Sequence, residues 1–271
     1  MNLDNIVTSI KNVFISDDKI RHAQTNLGQN ILEILINNGY HNAIIAGGAP
    51  RNWSEKRPAN DIDIYIVSDI HKIPLKYRPS RNTSNDVLTA ICNNRHLMVE
   101  IGDGHLGTES TYDGDLDESV INNVHSFKAQ GQKIQIIELN LDEYSGAVEL
   151  CENCVTPGHT NDSGINKCSK CLALTVFNTF DFGICKVAIN RHGIWYKHED
   201  FVTDFKNKTL TIRTSNLESM PGLNRLQKRL DKMRKYYPDF KVAFNSDKKL
   251  GLARWYGELE DIDLALEDML G

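Results

Sequence analysis

The sequence predicts an α+β fold with α/β character, in which a mixed β-sheet is flanked by helices. Three observations carry that expectation. A short apolar strand, a turn of helix and an alternating strand follow closely between residues 43 and 67. Two strand-like runs meet at a glycine turn near residue 131. Further strands and helices then mix along the chain rather than segregate, which suits one sheet with helices packed on it.

The elements follow in order. Leu27, Ile31, Ile34 and Leu35 share a helical face over 27–38, LGQNILEILINN, and Gly39 supplies a stop. AIIA, 43–46, reads as a buried strand that ends in Gly47-Gly48. A helical turn is expected from Arg51 to Lys56, and Pro58 bars its continuation. DIDIYIV, 61–67, alternates as a strand does. DVLTAICNN, 86–94, reads as helix, and 102–117, rich in Gly, Asp, Thr and Ser, as loop. VHSFKAQ and KIQIIEL form a hairpin across Gly131-Gln132. FDFGICKVAI, GIWYKH and TLTIRT read as later strands, 222–236 as a basic helix, and the acidic stretch after Gly257 as a last helix.

Composition sets bounds. The chain has 271 residues, 40% hydrophobic and 25% charged, with a formal net charge of -5. Any site for a polyanion must therefore be a local patch. No apolar run is long enough for a membrane span, and MNLDNIVTSIKNVFISDDKIR lacks the core of a signal peptide. An intracellular, cytoplasmic location is the default expectation, and the paired cysteines agree with it.

The stretch AIIAGGAPRNWSEKRPANDIDIYIV concentrates the chemistry. Side chains two apart on a strand share a face, so Asp61 and Asp63 project together. Adjacent carboxylates repel unless a cation lies between them, and Mg²⁺ favours carboxylate oxygens together with substrate phosphates. A strand that ends in Gly47-Gly48 and opens a helix lets backbone amides approach a phosphate. Arg51, one turn on, can hold a phosphate oxygen. The combination suits a nucleoside triphosphate with its magnesium. A second D-I-D, Asp261 to Asp263, lacks upstream glycines and reads as the polar side of a terminal helix.

GG-A-P-R-N followed by R-P-A-N-D-I-D-I-Y resembles the head of the DNA polymerase β-type nucleotidyltransferase superfamily, in particular the CCA-adding enzyme and bacterial poly(A) polymerase branch. The match covers about 25 residues. FDFGICKV also resembles segments of phage-encoded members. The resemblance implies that Asp61 and Asp63 hold two Mg²⁺ ions and that Gly47, Gly48 and Arg51 bind the triphosphate. The sequence departs from the family at two places. Asn52 stands where the family has an acid, and the third acidic position falls on Gln135. Asp181 is the preferred replacement, because an acid between two Phe residues is costly without a partner. Glu138 is the alternative.

Cys151-x-x-Cys154 and Cys168-x-x-Cys171 have the spacing of a structural Cys₄ Zn²⁺ site. The polar segment between them cannot build a core, so metal would supply its folding energy. Cys92 and Cys185 read as small core residues. Arg225, Lys228, Arg229 and Lys232 give the basic helix a cationic face, either solvated or in contact with a nucleic-acid backbone, while Leu223, Leu226, Leu230 and Met233 line its other side. Tyr236 and Tyr237 either pack in the core or stack on a base.

The expected organisation is a nucleotidyltransferase core over 1–150, an inserted zinc knuckle over 151–171, remaining core strands over 172–215 and a helical region over 216–271. The expected activity is Mg²⁺-dependent transfer of a nucleoside monophosphate from an NTP to an acceptor hydroxyl, of RNA or another molecule. The alternatives are an inactive nucleotide-binding relative and a zinc-dependent nucleic-acid binder.

Overall fold

A computed structural model of the chain describes residues 16–67, 83–101, 121–139, 151, 154, 168–212 and 220–244. The loop expected over 102–117, the acidic C-terminal helix and Asp261 to Asp263 lie outside them.

Helix α1 spans Asp17–Asn37, strand β1 Ile44–Ala46, helix α2 Gly48–Ser54 and strand β2 Asp61–Val67. Helix α3 covers Thr83–Cys92, followed by β3 (Val99–Glu100), β4 (Ile121–Ala129) and β5 (Gln132–Leu139). Helix α4 covers Ser169–Phe177, then come β6 (Val187–Ile189), β7 (Trp195–Lys197) and helix α5 (Glu199–Asn207). Strand β8 (Thr209–Ile212), helix α6 (Met220–Tyr236) and β9 (Lys241–Phe244) complete the described chain.

Seven strands form one sheet in the order β3-β4-β5-β2-β1-β6-β7. Its centre, β2 against β5, is parallel, and the other neighbours are antiparallel. The mixed character follows from the connections: tight turns join β4 to β5 and β6 to β7, whereas β2 and β5 are far apart in sequence.

Period-2 alternation splits the sheet into two apolar faces. Ile45, Ile62, Ile64, Ile66, Ile134 and Ile136 bury against Leu27, Ile31 and Leu35 of α1 and Val87 and Ile91 of α3. Ile44, Tyr65, Val67, Ile137 and Leu139 bury against Leu172, Val176 and Phe177 of α4 and Leu226, Leu230 and Met233 of α6. Each such side chain contributes roughly 1.5–3 kcal/mol on burial. Asp61 and Asp63 begin the second face, where the apolar cover gives way to partial exposure.

Three expectations change. FDFGICKVAI is not one strand: Phe182 makes an isolated bridge to Ile212, a 3₁₀ turn covers Gly183–Cys185, and only Val187–Ile189 joins the sheet. The turn brings Gly183 so close to α5 that an added Cβ would lie 2.6 Å from Asp204 Oδ2. TLTIRT leaves the main sheet and pairs in parallel with β9. Residues 172–215 supply two helices, α4 and α5, as well as strands.

Candidate active site

Asp61 and Asp63 are the first and third residues of β2, both half-buried and on one face. The parallel register sets Lys133 opposite Asp61 and Gln135 opposite Asp63. Gln135 Nε2 donates to Ser126 Oγ at 3.2 Å on the next strand. On the other side β1 runs antiparallel with Ile45 opposite Ile64, so the next step places Ala46 opposite Asp63 and the glycines just beyond. Carboxylates and diglycine turn therefore share one end of the sheet.

Gly47 is required there twice over. Its φ is +81°, and a Cβ would touch the Phe180 ring at 3.4 Å. Its own N–H donates to Val187 O at 3.0 Å, so it is already engaged in the sheet. Pro50 carries no N–H. Of the pair, Gly48 is therefore the half-exposed residue whose amide the first turn of α2 leaves without an intrahelical partner.

Arg51 lies beneath α6 rather than in solvent, and is 6% exposed. Its Nη1 approaches Cys185 Sγ at 3.3 Å and Met233 Sδ at 3.2 Å, and its Nε and Nη2 donate to Asn52 Oδ1. The same guanidinium faces the rings of Tyr236 and Tyr237, at 6.0 and 5.7 Å from their centroids. Its Nη2 would still lie 3.9 Å from a Cβ on Gly48, so it borders the turn. Asn52 supplies a neutral acceptor where an acid would cancel the charge of Arg51.

The end of α6 closes this corner. Asn60 Nδ2 donates to Tyr236 Oη at 3.0 Å, one residue ahead of Asp61. Arg57 Nη2 donates to Tyr237 Oη at 2.8 Å, and that hydroxyl donates to Glu55 Oε2 at 2.5 Å. Tyr237 is a core residue, and burial pushes its phenol well above the ordinary tyrosine range. Of the two tyrosines, Tyr236 alone keeps a partly exposed ring.

A residue that sequence inspection passed over fixes the approach to the aspartates. Gln24 of α1 donates through Nε2 to Ala59 O and to Gln132 Oε1, both at 2.7 Å. Its Oε1 accepts from Ala59 N–H at 2.8 Å and from Trp53 Nε1 at 3.2 Å. Gln132 Nε2 in turn donates to Asn60 O. Gln24 thus ties α1, α2 and β5 to the backbone immediately ahead of Asp61. The signal was available: Gln24 lies at helical spacing from Leu27, Gly28 and Ile31, a polar residue within the apolar stripe.

Neither expected third acid joins the pair freely. Glu138 lies opposite Ile66, on the face that packs against α1 and α3, so the sheet separates it from Asp61 and Asp63. The parity of the strand decides this: Glu138 is an odd number of residues from Gln135. Asp181 is 2% exposed and forms an ion pair with Arg229 of α6. The partner that its buried position demanded is a guanidinium. The same pair corrects the reading of Arg229, which turns inward instead of facing nucleic acid. Lys228 and Lys232 are exposed, while the side chain of Arg225 is outside the described set.

The four cysteines converge. The Sγ atoms of Cys151, Cys154, Cys168 and Cys171 all lie within 4.8 Å of one another. Zn–S bonds of about 2.3 Å in a tetrahedron require S···S edges of about 3.8 Å, and the Cys151–Cys168 separation is 3.8 Å. Cys168 caps α4 and Cys171 lies in its first turn. Cys151 N–H donates to Cys171 Sγ, a contact common where a thiolate needs a donor. Hydrogen bonding to Cys151 pushes the Cys154 thiol up to about 11, and burial pushes Cys171 further. These two thiols thus resist ionisation unless a cation accompanies it. The donor set fits zinc.

Among the described residues, no helix is long and apolar enough to cross a membrane. No family model and no curated protein matches the chain. Solved structures similar to it include a tRNA-processing enzyme in an apo form, 15% identical over 85% of this chain and 46% of its own, with a TM-score of 0.48. A CCA-adding enzyme in complex with ATP is 13% identical over 91% of this chain and 46% of its own, also at 0.48. The Thermotoga maritima CCA-adding enzyme complexed with tRNA is 14% identical over 82% and 41%, at 0.40. This chain spans less than half the length of each, and at these scores the likenesses bear on no residue or activity of this protein.

Proposed function

We propose that this chain is a nucleotidyltransferase that moves a nucleoside monophosphate from an NTP to an acceptor hydroxyl, of RNA or another molecule. One observation carries the reading: two half-buried carboxylates share a face at the sheet end where the diglycine turn also lies. Oxygen donors in that arrangement fit Mg²⁺, which Asp61 and Asp63 would hold. When bound, the metal supplies positive charge for the triphosphate and lowers the pKa of the attacking hydroxyl. Gly48 N–H and Arg51 border the turn and would bind phosphate oxygens. Lys133, opposite Asp61, adds a cation on the open face. In the reaction the hydroxyl oxygen forms a bond to the α-phosphorus, the bond from that phosphorus to the bridging oxygen breaks, and pyrophosphate leaves. The hydroxyl proton passes to solvent or to one of the two carboxylates. The cysteine cluster would hold a structural Zn²⁺ away from this chemistry.

The test is incubation with each labelled NTP, Mg²⁺ and total RNA. Transfer is expected, and Asp61→Ala or Asp63→Ala should lower it on the order of a thousandfold. Transfer that persists in both variants would refute the assignment. A second reading, a nucleotide-binding module without turnover, draws on Gln135 opposite Asp63 and on Asp181 held by Arg229. It predicts NTP binding that the same variants weaken, with no transfer under any metal or acceptor.

A further inference from the structure

The β6–β7 hairpin, NRHGIWYKH over 190–198, takes no part in the chemistry above, yet it exposes what a structural turn would bury. Strand β7 is an edge of the sheet. Trp195 is 37% exposed and Ile194 52%. Arg191 and His192 are exposed at the tip, and Lys197 is exposed two residues past the tryptophan. Lys197 Nζ lies 5.7 Å from the Trp195 ring centroid, so a cation sits over one part of the ring. The register pairs Trp195 with Ile189 and Lys197 with Val187, which places both on the same side of the strand. Gly193, at φ +72°, sets the tip against Gln29 of α1 and leaves Arg191 and His192 pointing outward. The nearest acid along the chain is the exposed Glu199, while Asp200 is buried and spent on Lys186.

We infer that this hairpin is a docking surface for single-stranded nucleic acid, with Trp195 as a stacking platform for a base and Arg191 and Lys197 as phosphate contacts. The inference rests on the proposed function only for its expectation that the acceptor is RNA. An indole accepts any base on its face, and flanking cations follow the backbone without reading sequence. In a chain of net charge -5, this local positive patch offers a polyanion complementarity, as the exposed lysines of α6 also do. A protein strand adding to the β7 edge is disfavoured, because β7 has only three residues, one of them an edge lysine.

The experiment measures fluorescence anisotropy of a short labelled single-stranded RNA against the full chain, without NTP or magnesium. Binding is thereby independent of turnover, so absent transfer with intact binding leaves this surface standing. Trp195→Ala should weaken binding roughly tenfold, while Trp195→Phe keeps most of it. Arg191→Gln combined with Lys197→Gln should reduce the slope of log affinity against log salt by about 1–2. Thermal melts of Trp195→Phe and of the double variant should match the parent, and the melt of Trp195→Ala shows that the variant used for binding is folded. Unchanged affinity in Trp195→Ala overturns the inference. So does equal loss in the Ala and Phe variants, or unchanged RNA affinity accompanied by altered self-association, which would assign the edge to a protein contact.

Discussion

Two places among the described residues gather ligands of the kind that cations need, and they differ in hardness, number and cover. The cysteine cluster presents four sulfurs, two of the cysteines buried, at the start of α4. The aspartate pair presents oxygens at a half-exposed strand end, flanked by Lys133 and Gln135 rather than by more acids. Four soft ligands complete a tetrahedron and leave no position for a substrate. Two hard ligands leave most of an octahedron for phosphates and water. Under the proposed function, the contrast would separate a site that holds the fold from one that holds a reactant.

Removing each site in turn is the largest test of that contrast. Cys171→Ser should release one zinc per chain and cost on the order of 4 kcal/mol of stability, because α4 packs its Leu172, Val176 and Phe177 directly onto the sheet. Chelation should reproduce the loss, and zinc binding should weaken as pH falls, since the thiols must shed protons to bind. Asp63→Ala should behave in the opposite way, with stability within about 0.5 kcal/mol of the parent. Zinc content by mass spectrometry and thermal melts read both arms. A zinc-free protein with an unchanged melt would remove the structural role assigned to the cysteines.

Much of this was legible in the sequence, and the failures have common physical causes. Paired aspartates, diglycine turn and cysteine spacing are local, so a few residues of pattern specify their geometry. The site face of β2 followed from alternation alone. What sequence could not supply was the partner across the fold. Arg229 is 48 residues from Asp181, and nothing in either segment announces their pairing. Arg51 reads as a free phosphate ligand until α6 brings Met233 and two tyrosines over it. Helix α4 was hidden because Cys168 just before it and Cys171 within it read as metal spacing, which masks the 3.6-residue apolar pattern of Leu172, Val176 and Phe177.

The buried Asp181–Arg229 pair allows a sharper, smaller test of whether the open site has two acids or three. Removing one member of a buried ion pair strands the other charge and costs about 3–5 kcal/mol. Asp181→Asn and Arg229→Met should therefore each lower the melting temperature, and the double variant should recover much of the loss. A double-mutant cycle by denaturant unfolding measures that coupling. If Asp181 is spent on Arg229, nucleotidyl transfer by the folded double variant stays within a fewfold of the parent. Loss of transfer in a stable double variant would instead make Asp181 the third metal ligand and enlarge the hard site.

Glu138 offers the smallest effect and a distinct kind of information. It is 1% exposed, and neither carboxylate oxygen has a hydrogen-bond partner among the described residues; His125 Nε2 lies 3.8 Å from Oε2. A buried carboxylate so placed gains little and pays for desolvation. Glu138→Gln keeps the shape and removes the charge, so it should leave stability unchanged or raise it by about 1 kcal/mol. Because the residue faces α1 and α3, transfer should be unaffected. A marked fall in transfer without a fall in stability would mean that the chemistry reaches through the sheet, and the separation of its two faces would have to be abandoned.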